Sequence, residues 1–172
     1  VTVDIDHPDI EEYIDWKVVE EQKVAALVAG SKLAQKHMSE VMSACVEATD
    51  LDEEIRYNPK LNKALKKAIL AARVAMIPEN YVQRVIQFAQ QGFTEIAFKT
   101  YDTDWDSEAY LTVAGQNSNN SVRVTNDFLN AVLEDGDWEL IRRTDGKVAE
   151  KISASSLWEK IAHAAWACAD PG

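Results

Sequence analysis

Residues 115–128 constrain the fold more than any other stretch. They run Gly115-Gln116-Asn117-Ser118-Asn119-Asn120-Ser121-Val122-Arg123-Val124-Thr125-Asn126-Asp127-Phe128. Asn and Ser carry donors and acceptors that must be satisfied wherever they are buried, so a run of them does not fill an apolar core. The short apolar pair Val122 and Val124 that follows reads as a strand, and Thr125 or Asn126 as the start of a helix reaching Leu133. Two readings of residues 117–123 stand side by side. One is a side-chain network that stabilises a sharp turn before the strand. The other is a strand end that faces a polar cavity or a ligand.

The remaining sequence alternates strand and helix signals. Val1, Val3 and Ile5 alternate with polar residues, and Asp6-His7-Pro8-Asp9 begins a helix that carries Ile10 and Ile14 on one face. This helix is expected to fade near residues 20–22, with a short strand over 24–28 and a second helix over 32–45 carrying Met38, Val41, Met42 and Cys45. Asp50 and Glu53 have the spacing of a capping box for a short helical turn. Asn58-Pro59 is expected to cap a basic-faced helix through Ala75, and Pro78 to open another that ends at Gly92. Residues 93–98 read as a strand. Segments 138–142 and 147–152, around Thr144-Asp145-Gly146, read as a β-hairpin. Ser156 and Glu159 read as the capping box of a last helix. The order predicts an α/β fold with an insertion of helices, and no linker divides the 172 residues, so one domain is expected.

Composition narrows the function classes. Acidic residues outnumber basic ones by 29 to 18, and this net charge of −11 disfavours binding of nucleic-acid polymers. No apolar run approaches the length of a membrane span. Cys45 and Cys168 stand apart with no metal-ligand spacing around them, as expected for buried, reduced thiols of a cytoplasmic protein.

Candidate chemistry is sparse. His7 beside Asp6 and Asp9 is explained by a helix start, although it could serve a hydrolase as a base; no nucleophile accompanies it. Asp102, Asp104, Asp106 and Glu108 alternate like the opening of a calcium loop, but Trp105 stands in their midst and no bidentate Glu follows at the required distance, which leaves a solvated acidic loop. All six glycines are isolated, so there is no phosphate-cradling loop, and there is no nucleophile elbow.

Three stretches resemble the adenosylcobalamin-dependent (class II) ribonucleotide reductases. The first is residues 1–14, with His7-Pro8-Asp9-Ile10-Glu11-Glu12 at its centre, continuing through Trp16-Lys17 and 20–31. The second is Asn117-Ser118-Asn119-Asn120-Ser121-Val122-Arg123-Val124, and the third is Trp166-Ala167-Cys168-Ala169-Asp170-Pro171-Gly172. They occur in the family's order. The resemblance implies a middle piece, residues 1–172, of the family's ten-stranded α/β barrel, with inserted helices. It implies that the complete protein converts ribonucleotides to deoxyribonucleotides for DNA synthesis by thiyl-radical chemistry, with adenosylcobalamin as cofactor. It also implies the remaining reductase segments as partners. The radical-cysteine motif and the family's redox cysteines have no counterpart among these residues, so no catalytic residue and no metal ligand is assigned. Asn119, Asn120 and Ser121 match the family's asparagine-serine stretch and are expected to line or support the barrel cavity, with Arg123 pairing nearby. A piece of a closed barrel would expose strand edges, so self-association is expected. The alternative is a non-enzymatic scaffold or interaction domain that has kept the barrel pattern.

Overall fold

The computed structural model describes residues 1–172. Its elements are β1 (Thr2–Asp4), α1 (Ile10–Val46), α2 (Glu53–Arg56), α3 (Lys63–Val74), α4 (Glu79–Gln90), a 3-10 turn (Tyr110–Thr112), β2 (Ser121–Arg123), α5 (Asn126–Leu133), β3 (Asp137–Ile141), β4 (Val148–Ser153) and α6 (Ala154–Cys168). The fold is mixed α/β. No closed barrel is present: β1 pairs with β2 in parallel, and β3 with β4 in antiparallel. The chain forms two compact units, one comprising Val1–Val24 and Tyr110–Gly172, the other Ala25–Ala109.

The first unit holds both strand pairs. A parallel pair cannot be joined by a tight turn, and β1 and β2 are accordingly far apart in sequence. Their register places Thr2 opposite Ser121, Val3 opposite Val122 and Asp4 opposite Arg123. Ile5, Ile10, Ile14, Phe128, Leu140, Ala154, Leu157 and Ala164 form the buried core. Phe128 meets Trp138 edge to face at 5.2 Å between ring centres, a favoured aromatic geometry. Helix α5 begins where expected, with the Thr125 side chain accepting from the Phe128 amide at 3.2 Å. The hairpin also lies where the sequence places it. Helix α6 starts earlier than its expected Ser156 cap: Ser153 is the cap, and its hydroxyl accepts from the Ser156 amide.

The second unit is helical. Met38, Val41, Met42 and Cys45 of α1 pack with Leu65, Ala68, Ile69 and Ala72 of α3 and with Val82, Val85, Ile86 and Ala89 of α4. Burial pushes the Cys45 thiol up to about 11.

Three expectations fail for identifiable reasons. Helix α1 neither fades at residues 20–22 nor yields to a strand at 24–28; it is one helix of 37 residues. Glu20, Val24 and Val28 are all buried, and their fourfold spacing is a helical stripe. Between the β-branched ends stand Ala25, Ala26 and Leu27, strong helix formers. Lys23 braces Glu20 one turn back. Gly30 alone costs a helix only about 1 kcal/mol, too little to break it. Residues 93–98 form no strand because no neighbouring strand is there to pair with. Ile96 and Phe98 pack on the helical core instead. Helix α3 starts at Lys63 rather than at Asn58-Pro59, because Asn62 is the better cap. Its Oδ1 accepts from the Leu65 amide at 3.0 Å, while its Nδ2 donates to the carbonyls of Ala44 and Arg56 at 3.0 and 2.8 Å.

Asn62 is 2% exposed, so truncation removes a cap and leaves two part-buried carbonyls without their donor. Asn62→Ala is expected to cost about 2–3 kcal/mol, read by urea unfolding of the helical unit. A loss below about 0.5 kcal/mol would mean that water replaces all three bonds.

Candidate functional site

The asparagine segment leads into β2 of the parallel pair. Ser121 donates its amide to the Val1 carbonyl at 2.8 Å. The Tyr13 hydroxyl donates to that carbonyl at 2.7 Å and accepts from the Ser121 amide at 3.2 Å. Burial raises the Tyr13 hydroxyl above its usual range, and the Asp170 carboxylate adds to the rise. On the other side of β2, Gly172 donates to the Asn120 carbonyl and accepts from the Val122 amide, both at 2.9 Å. Bonding one residue to both neighbours of its opposite number is the parallel pattern. Ser121 is therefore flanked on both edges by parallel backbone.

A charged pair holds this assembly. Lys17 reaches from α1 to the Asp170 carboxylate at 3.0 Å, with both side chains largely buried, and it also donates to the Ser118 carbonyl. The same carboxylate accepts from the Asn120 amide at 3.2 Å. One lysine and one aspartate thus fix residues 118 and 120 against the chain at 170. Ala169, in the left-handed region at φ 59°, ends α6 and turns the backbone toward this contact.

The residues expected to form the site take different places. Asn120 is 3% exposed. Its Oδ1 accepts from the Ser118 hydroxyl at 3.1 Å, and its Nδ2 has no partner among these residues, as is also true of Gln116 Nε2. Ser121 is half-buried in the ladder, and Asn119 is exposed, its carbonyl facing the Val1 nitrogen. Arg123 is exposed and bonds its ladder partner Asp4 at 2.5 Å. That hydrogen bond holds the Asp4 carboxyl below the usual carboxylate range. Arg143 continues the ladder onto Asp6. Sequence reading alone gave no role to Lys17, Asp170 and Tyr13. The available signal was Lys17 itself, a cation on a helix otherwise opening with Glu11, Glu12 and Asp15.

The histidines make local contacts. The His7 ring nitrogen accepts from the Asp9 amide at 3.1 Å, as a helix-start residue does. His37 pairs with Glu40 at 3.0 Å, and His163 lies against Trp166. No group of three or more His, Cys, Asp or Glu side chains converges as a metal site would require, and no helix is long and apolar enough to cross a membrane.

Residues 1–172 match the family described as ribonucleotide reductase, barrel domain. The chain is 64% identical over its whole length to a vitamin B12-dependent ribonucleotide reductase of Agrobacterium fabrum and 60% identical to one of Bradyrhizobium diazoefficiens. A third, of Streptomyces avermitilis, is 31% identical over the same 172 residues. The chain spans 13%, 14% and 11% of the lengths of these relatives, respectively. A family match over every residue shows that the chain belongs to the ribonucleotide reductase barrel-domain family.

Proposed function

We propose that the chain is a segment of the catalytic barrel of an adenosylcobalamin-dependent ribonucleotide reductase, which reduces ribonucleotides to deoxyribonucleotides by thiyl-radical chemistry. The observation that carries this reading is the 64% identity across all 172 residues. The parallel pairing of β1, β2 and Gly172 agrees with it, since parallel strands with long helical crossovers are what an α/β barrel is made of. In the ten-stranded barrel these strands would pair onward with strands from the remaining reductase segments.

The chain's own part is positional. Lys17 and Asp170 lock β2, and Asn120, with Ser121, supports the barrel cavity from the buried end of that strand. Asn119 and Arg123 complete the segment at its exposed positions. The unpartnered side-chain Nδ2 of Asn120 suits an acceptor brought by another segment, because a buried donor without one is costly. Neither thiol suits thiolate chemistry here, because burial raises both Cys45 and Cys168. Adenosylcobalamin finds no fitted seat in these residues. A groove of about 670 Å³ along α1 carries Asp9, Glu12, Asp15 and Glu20 against the single cation Lys23, a net negative lining that is the wrong sign for a cofactor with a phosphodiester tail. The cofactor belongs to the complete enzyme.

Replacing the matching residues of the Agrobacterium relative with these 172 should leave cobalamin-dependent deoxyribonucleotide formation within about tenfold of the parent. A folded chimera without activity would favour the scaffold reading. In that chimera Cys45→Ala and Cys168→Ala should each leave turnover within about twofold; a folded variant losing more than about a hundredfold would make that thiol part of the chemistry.

The charged pair makes a separate prediction for the chain alone. Lys17→Met strands the Asp170 carboxylate and should destabilise by about 3 kcal/mol, most of it recovered in Lys17→Met/Asp170→Asn. Denaturant melts of the single and double variants measure this directly. A double-variant loss equal to the sum of the Lys17→Met and Asp170→Asn losses would mean that the pair is not coupled.

A further inference from the structure

From Ile55 to Pro78 the chain has no carboxylate and six cations, Arg56, Lys60, Lys63, Lys66, Lys67 and Arg73, within a protein of net charge −11. This placement works against α3. Lysines occupy its first turns, where the helix dipole disfavours cations, and no acid offsets them there. Lys63 faces Lys66 and Lys67 at like-charge helical spacing. Lys60, Lys63, Lys66 and Lys67 make no ion pair, while Arg73 pairs with Glu79 at 2.9 Å. The core does not need these charges, because Leu65, Ala68, Ile69 and Ala72 supply the buried face. Such local conflict is expected where a surface serves something beyond folding.

Between α3 and α4 lies a groove of about 300 Å³. Lys60 and Lys66 make one side of its rim basic, Arg73 on the rim is paired with Glu79, and Ile69 and Leu70 lie along it. Leu70 is 49% exposed and Val74 is 85% exposed on the same outer face. A basic rim with exposed aliphatic residues fits a protein segment that combines carboxylates with one large apolar side chain; a bare polyanion would leave the apolar part unused.

The same compact unit carries such a segment. In the 102–108 loop, Trp105 is 86% exposed amid Asp102, Asp104 and Asp106. The loop is preformed: the Asp104 amide donates to Asp102 Oδ1 at 3.1 Å, the Ser107 hydroxyl to the Asp102 carbonyl at 3.0 Å, and the Ser107 amide to the Asp104 carbonyl at 2.8 Å. A preformed loop loses little entropy on docking, and tryptophan is among the side chains that most often anchor interfaces.

We propose that the α3/α4 groove of one copy of the chain receives the 102–108 loop of a second copy, with Trp105 entering the groove and Asp104 and Asp106 meeting Lys60 and Lys66. This contact differs from pairing of exposed strand edges, since it is electrostatic and weakens with salt. It does not rest on the reductase reading.

Sedimentation velocity of the 172-residue chain tests it. At 50 mM NaCl the chain should self-associate at micromolar to tens of micromolar concentration, and at 500 mM at least about tenfold more weakly, because such contacts are screened. Trp105→Ala and the double variant Lys60→Glu/Lys66→Glu should each sediment as monomers with unchanged circular dichroism. Mixing Lys60→Glu/Lys66→Glu with Asp104→Lys/Asp106→Lys should restore association that neither variant has alone. A monomer at low salt, association indifferent to Trp105→Ala, or association strengthened by salt would overturn the proposal. So would a single-stranded oligonucleotide that binds wild type but not Lys60→Glu/Lys66→Glu while no self-association occurs.

Discussion

The fold of the strand-bearing unit depends on one buried ion pair. Lys17 and Asp170 are separated by most of the sequence, yet their contact fixes Ser118 and Asn120 and thereby the end of β2. A buried pair gains little net energy over a well-packed apolar one, but losing either partner is expensive. Its value here is specification. The asparagine stretch has no apolar stripe to set its register, and backbone pairing alone does not distinguish one register from the next. A cation from one helix and an anion beyond another select the arrangement in which Ser121 sits between Val1 and Gly172.

What the sequence made legible follows from how local each signal is. The β3–β4 hairpin, the Thr125 cap and the start of α4 at Pro78 are each encoded within a few residues, and each lies where expected. The strand expected over 24–28 failed because β-branched ends were weighed above the helical spacing of Glu20, Val24 and Val28. The cap of α3 was misplaced because Asn58-Pro59 has the stronger local signature, whereas Asn62 gains its advantage from the Ala44 carbonyl, which no local window contains. The strand at residues 93–98 depended on a partner that these residues do not provide.

The candidate site divides in the same way. The polar character of residues 117–123 could be read directly, and the structure gives it a side-chain network around Ser118 and a buried Asn120 whose Nδ2 has no partner. Lys17, Tyr13 and Asp170 escaped assignment because their roles exist only after long-range pairing. Family membership, by contrast, was readable from the order of three stretches, and the match across residues 1–172 agrees with it.

The parallel pairing of Thr2–Asp4 with Ser121–Arg123 has a consequence for how the chain comes into being. Contacts this remote in sequence must overcome a large loop-closure entropy before they return any stabilisation, so they form late. The helices between them rely on near neighbours and can form early. During synthesis β1 emerges well before its partner, and its groups facing β2 stay unpaired until residue 123 has left the ribosome. For that interval the edge of β1 that β2 will cover is open, and the time it stays uncovered is set by the length of the segment between the two strands.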